Sequence, residues 1–77
     1  MVKPTRVTNS LRALRFAHGQ MTQADLATRL GVTRQTVIAI EQGRYSPSLE
    51  MAFRIAGVFG VPLDDVFHYP QTSQEQR

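Results

Sequence analysis

Apolar residues recur along this chain at three- and four-residue spacing in short bursts, most of them closed by a glycine. That spacing is the signature of helices that each bury one stripe. Leu11, Leu14 and His18 form the first stripe, in a helix that can begin after Thr8 or Asn9 and stops at Gly19, with Phe16 on the opposite side. A second helix, TQADLATRL, carries Leu26, Ala27 and Leu30. Thr22 is its N-cap, Asp25 stands where the return partner of a capping box belongs, and Gly31 ends it. Only Gly31 and Val32 separate it from Thr33, the cap of a third helix over Arg34 to Gln42 that Gly43 stops. Ser48 caps a fourth helix in which Leu49, Ala52, Phe53, Ala56 and Phe59 make one apolar face and Met51, Ile55 and Val58 a second stripe. Gly60 ends it, and Pro62 opens a last short helix containing Leu63, Val66 and Phe67. The expectation is an all-α fold of five short helices without a strand.

The third helix, within TRQTVIAIEQGR, departs from the usual amphipathic division. At about 100° per residue, Val37 and Ile40 share the inward face while Arg34, Gln35, Ile38, Ala39 and Gln42 spread over the outward one. Fork-shaped hydrogen-bonding groups thus lie in the first turn with small or apolar residues directly behind them.

Charge sharpens this picture. Nine Lys and Arg against six Asp and Glu give a formal charge of +3, and most of the excess lies early: Lys3, Arg6, Arg12, Arg15, Arg29, Arg34 and Arg44 precede residue 45. A polyanion is the partner such a distribution suits, although a mildly basic balance also serves solubility. The chain has no cysteine, and His18 and His68 lack ligand spacing, so no metal and no other cofactor is expected. Nucleophile, metal-cluster and glycine-rich phosphate-loop signatures are all missing, which argues against an enzyme. No apolar run has the length of a membrane span, and a cytoplasmic protein is expected. The organisation reads as a flexible basic arm over 1–8, one domain over 9–69, and a polar tail over 70–77.

A helix, a glycine-containing corner and a second capped helix in a basic domain make a helix-turn-helix. The stretch MTQADLATRLGVTRQTVIAIEQGRYSPSLEMAFRIAGVFGVPLDDVF closely resembles the phage-repressor and Cro class, or XRE type, of these domains. Its opening Thr-Gln, its Leu-Gly-Val-Thr corner, its Ile-Glu-Gln-Gly and its Pro-Ser-Leu carry the resemblance. That resemblance implies a five-helix, lambda-repressor-like domain and a transcriptional regulator whose third helix enters the major groove of double-stranded DNA. The outward face is then the base-reading one. Arg34 suits guanine O6 and N7, Gln35 suits adenine N6 and N7, and Ile38 and Ala39 suit a thymine methyl.

Phosphate-binding candidates flank that helix. Gln23 opens the second helix, where backbone N–H groups and the dipole favour an anion, and relatives place this glutamine against the DNA backbone. Thr33 is a cap and a phosphate donor candidate, and Gly43, Arg44 and Tyr45 belong to a loop expected to grip neighbouring phosphates, Gly43 through its N–H. The resemblance also implies an ion pair between Arg15 and Glu41, linking the first and third helices.

One module presents too few base-reading groups to find an operator alone, so a homodimer on an inverted repeat is expected. Met51, Ile55, Val58, Phe67 and Tyr69 are its candidate interface. The alternative is an antitoxin or restriction-modification controller that uses the same domain with a protein partner.

Overall fold

The computed structural model of the chain describes residues 5–44 and 46–70. Five helices occur in the order expected: α1 Leu11–Ala17, α2 Gln23–Leu30, α3 Arg34–Glu41, α4 Leu49–Phe59 and α5 Leu63–Val66. Their buried side chains meet in one core built from Leu11, Met21, Leu26, Leu30, Val37, Ile40, Ile55, Phe59 and Val66 with neighbouring alanines. Each fully buried Leu or Ile removed from water in this way is worth about 1.5 to 3 kcal/mol.

Two features depart from the sequence-based expectation. Thr8–Asn9 and Phe67–His68 are short strands, β1 and β2, that pair antiparallel with Thr8 opposite His68 and Asn9 opposite Phe67. Phe67 therefore follows α5 and is not part of it. Strands of two residues are too short to show any periodicity, and what creates them is a long-range contact between the ends of the domain. The described part of the basic arm is accordingly fastened to the body. Thr5 donates its N–H to the Gly43 carbonyl at 3.2 Å, and Ser10 donates its own to Val66 at 2.9 Å. Residues 1–4 of the arm and 71–77 of the tail lie outside the described residues.

The second departure concerns α4. Its buried stripe is Ala52, Ile55, Ala56 and Phe59, whereas Leu49 and Phe53 remain 67% and 57% exposed. Both sets satisfy helical spacing, and contact with α2 and α5 decides between them. Met51 and Val58 are half-buried against the core. Arg54 adds a tie between helices, donating from Nη2 to the Leu30 carbonyl at the C-terminal end of α2, where a cation also suits the dipole.

The turn after α1 is tight. Gly19 and Gln20 both adopt positive φ, 75° and 57°, which lets Met21 return its N–H to the Arg15 carbonyl at 2.8 Å. His18 joins the ends of two helices, its ring nitrogens standing 3.0 Å from the Leu14 carbonyl and 3.1 Å from that of Phe59.

Candidate nucleic-acid interface

Local hydrogen bonding fixes the corner between α2 and α3. Thr22 accepts the Asp25 N–H at 2.9 Å and offers its own N–H to the Asp25 carboxylate at 3.3 Å, completing the capping box. At the other end Gly31 takes φ 74°, a conformation that costs glycine little. Val32 then donates to the Ala27 carbonyl and packs against the core. Thr33 starts α3 by accepting the Thr36 N–H at 3.2 Å, and the two threonine hydroxyls lie 3.0 Å apart. With Val37 and Ile40 buried beneath, Arg34 and Gln35 are exposed in the first turn and Ile38 and Ala39 are half-exposed behind them.

A buried polar network holds this helix at the opposite end. Arg15 is 6% exposed, and its Nε and Nη2 donate to Glu41 Oε2 and Oε1 at 2.6 and 3.1 Å. Nη1 donates to the Met21 carbonyl at 2.8 Å, and Gln23 Nε2 donates to Glu41 Oε1 at 3.1 Å. The bidentate geometry is the strong form of this contact. It joins α1, the start of α2 and the end of α3. These residues line a groove of about 1130 Å³ that also receives Arg12, Phe16, Arg34 and Gln42.

The loop after α3 requires a correction. Gly43 is expected to offer its N–H to a phosphate, but that N–H donates to the Ile40 carbonyl at 3.0 Å and the Arg44 N–H to Ala39 at 3.0 Å. Both amides close the helix, so Gly43 contributes its left-handed φ of 71° and not a donor. The Arg44 side chain is exposed. Tyr45 lies outside the described residues.

Comparison with known proteins decides the family. A family model described as "Helix-turn-helix" matches residues 11–66. The chain belongs to the helix-turn-helix family. Within that family the chain falls in the phage-repressor and Cro class its motifs resemble. It is 56% identical over 61 residues to an uncharacterized HTH-type transcriptional regulator of Methanocaldococcus jannaschii, covering 79% of this chain and 91% of that protein. A cryptic phage CTXphi transcriptional repressor of Vibrio cholerae is 29% identical over 70 residues, 91% of this chain and 62% of the repressor. Among solved structures, a crystal structure from Bacteroides fragilis superimposes with a TM-score of 0.70 at 22% identity, covering 80% of this chain and 98% of that one. A transcriptional regulator from Listeria innocua does so at 0.65 and 23% identity, with coverages of 90% and 72%. At these identities the two structures speak for the fold alone.

Within the helix-turn-helix frame, Arg34, Gln35, Ile38 and Ala39 share one outward surface, and Gln23 and Thr33 stand at the two helix starts that border it. The candidate interface residues do not stay together. Ile55 is fully buried and is withdrawn from any subunit contact, because the stripe that contains it is the one α2 and α5 cover. Tyr69 is 51% exposed and Phe67 is half-buried. Sequence reasoning missed Asn9, which donates from Nδ2 to the Ile40 carbonyl at 2.9 Å and accepts the Leu11 N–H at 3.1 Å. An Asn just ahead of an apolar stripe signals a cap, but its reach to α3 carries no local signal. Phe16 is 53% exposed. It lies against two arginines.

Proposed function

We propose that this chain is a sequence-specific double-stranded DNA-binding regulator of transcription, acting in the cytoplasm as a homodimer on an inverted-repeat operator. The observation that carries the reading is the first turn of α3. Two exposed hydrogen-bonding side chains, Arg34 and Gln35, project from a helix anchored by Val37, Ile40 and Glu41. A side chain that discriminates bases needs such a rigid base, since each good bidentate contact is worth about 1 to 3 kcal/mol only when its geometry is kept. The names of the relatives, regulators and a phage repressor, support the same reading. Arg34 and Gln35 read base edges, Ile38 and Ala39 meet thymine methyls, and Gln23, Thr33 and the Arg44 side chain hold phosphates.

Selection of binding sites from random duplexes is the test. Wild-type chain enriches an inverted repeat, and Arg34→Ala loses its preference at one guanine per half-site, weakening that duplex by about 1 to 3 kcal/mol. Absence of enrichment by the wild-type chain overturns sequence-specific binding. An identical motif of equal strength from Arg34→Ala removes Arg34 from the base readers.

The subunit contact is proposed on the exposed part of α4. Leu49 and Phe53, four residues apart and so on one face, project from α4, and Leu49 lines an apolar groove of about 280 Å³ together with Val7, Pro47, Ala52, Leu63 and Phe67. A projecting pair beside a groove gives a self-complementary surface, the requirement of a two-fold contact.

A further inference from the structure

We infer that Arg12, shelved on the exposed ring of Phe16, is a further phosphate contact, placed where the backbone of a bound DNA strand crosses the groove between α1 and the start of α2. The inference rests on the DNA-binding reading above and adds a residue from α1 to it. Phe16 is 53% exposed, so its ring face is open to neighbouring side chains. It supports two cations: the Arg12 guanidinium carbon lies 5.4 Å from the ring centroid and that of Arg15 lies 5.6 Å from it. Arg15 is immobilised by Glu41 and the Met21 carbonyl, so its contact steadies the ring, and the ring in turn restricts Arg12. A long cation that would otherwise lose rotamer freedom on binding is thereby placed in advance.

Electrostatics select the occupant. The groove is lined by Arg12, Arg15 and Arg34 with Glu41 as its carboxylate, and Glu41 is already spent on Arg15 and Gln23. Among the described residues no carboxylate pairs with Arg12. The charge balance of this groove favours an anion, and Gln23 and Arg34 on the same groove are the groups proposed to meet DNA. Arg12 sits on α1 and not on the helix proposed to read bases, so its role is charge without sequence information.

The test is the salt dependence of binding to the duplex the wild-type chain selects, followed by fluorescence anisotropy. Arg12→Ala is expected to lower affinity about three- to tenfold, to reduce the slope of log K against log salt by about one, and to leave the selected sequence unchanged. In ethylation interference one phosphate per half-site loses its effect. Phe16→Leu keeps every charge, so the slope stays while affinity falls about two- to fivefold. Thermal unfolding of both variants close to wild type shows that a folded protein is being measured. An unchanged slope and interference pattern in Arg12→Ala overturns the contact, and undiminished affinity in Phe16→Leu overturns the shelf. If the wild-type chain shows no salt-dependent duplex binding, the DNA-binding reading falls and the Arg12 assignment falls with it.

Discussion

Arg15 is the buried charge among the described residues, and its surroundings show why it is tolerated. Its three donor nitrogens each have an acceptor, and the carboxylate that faces them also accepts from Gln23. Removing one partner strands the other in the interior, a change that costs about 3 to 5 kcal/mol. Glu41→Leu should therefore destabilise strongly in urea unfolding. Arg15→Met combined with Glu41→Leu should cost less than the sum of the two single changes, as a double-mutant cycle reads directly. Additive losses would show that the pair has no coupling. Val37 and Ile40 were legible from periodicity alone, because burial on one helix face is a local pattern. The ion pair was not, since its members stand 26 residues apart and neither spacing nor charge says that α1 and α3 meet. Only the family resemblance implied it.

At the scale of elements, the caps of α2, α3 and α4 follow from Thr22, Thr33 and Ser48 because a cap is decided within four residues. What escaped was the N-terminal segment, whose partners are distant. Asn9 closes two helices at once, satisfying the Leu11 N–H at the start of α1 and the Ile40 carbonyl near the end of α3. Thr5 extends the same strap, accepting the Val7 N–H at 3.1 Å and the Ser46 hydroxyl at 2.8 Å while its N–H holds the Gly43 carbonyl. The loop that carries Arg44 is thus braced by Thr5, expected from the sequence to lie in a flexible arm, and by Asn9 at the start of the domain. Asn9→Ala should cost about 1 kcal/mol, since the Leu11 N–H loses its side-chain acceptor while the Ile40 carbonyl keeps the Gly43 N–H. Thermal denaturation gives the loss, and faster amide exchange at Gly43 and Arg44 locates it. Exchange unchanged at both positions would mean that the strap does not steady the loop.

For the whole molecule, the question is how one small domain finds a single site. Three or four base-reading side chains discriminate too weakly against a genome of competitors, and two copies on one face of the duplex double the readout. Recognition helices in such a pair stand about 34 Å apart, one turn of DNA. The sequence suggested Met51, Ile55 and Val58 of α4 as part of the contact, and of these Ile55 lies in the core while Met51 and Val58 are half-buried, because two apolar stripes on one helix satisfy the same spacing and only tertiary packing shows which residues are consumed. With Ile55 buried, Leu49 and Phe53 are the most exposed large apolar side chains of α4, and Leu49 lines an apolar groove. The groove includes Ser46 and Pro47, directly after the loop proposed to hold phosphate, so pairing there would bring the two proposed phosphate-binding loops of a dimer under one contact. Phe53→Glu puts a charge into that contact without touching the core, since the side chain is more than half exposed. Sedimentation at micromolar concentration should show dimer for the wild-type chain and monomer for this variant. Operator affinity should fall at least tenfold, roughly the loss of about 1.4 kcal/mol of pairing, while the urea midpoint at low protein concentration stays near that of the wild type. Wild-type chain that sediments as a monomer and protects a single half-site would exclude the dimer, and a Phe53→Glu variant that still pairs would place the contact on another surface.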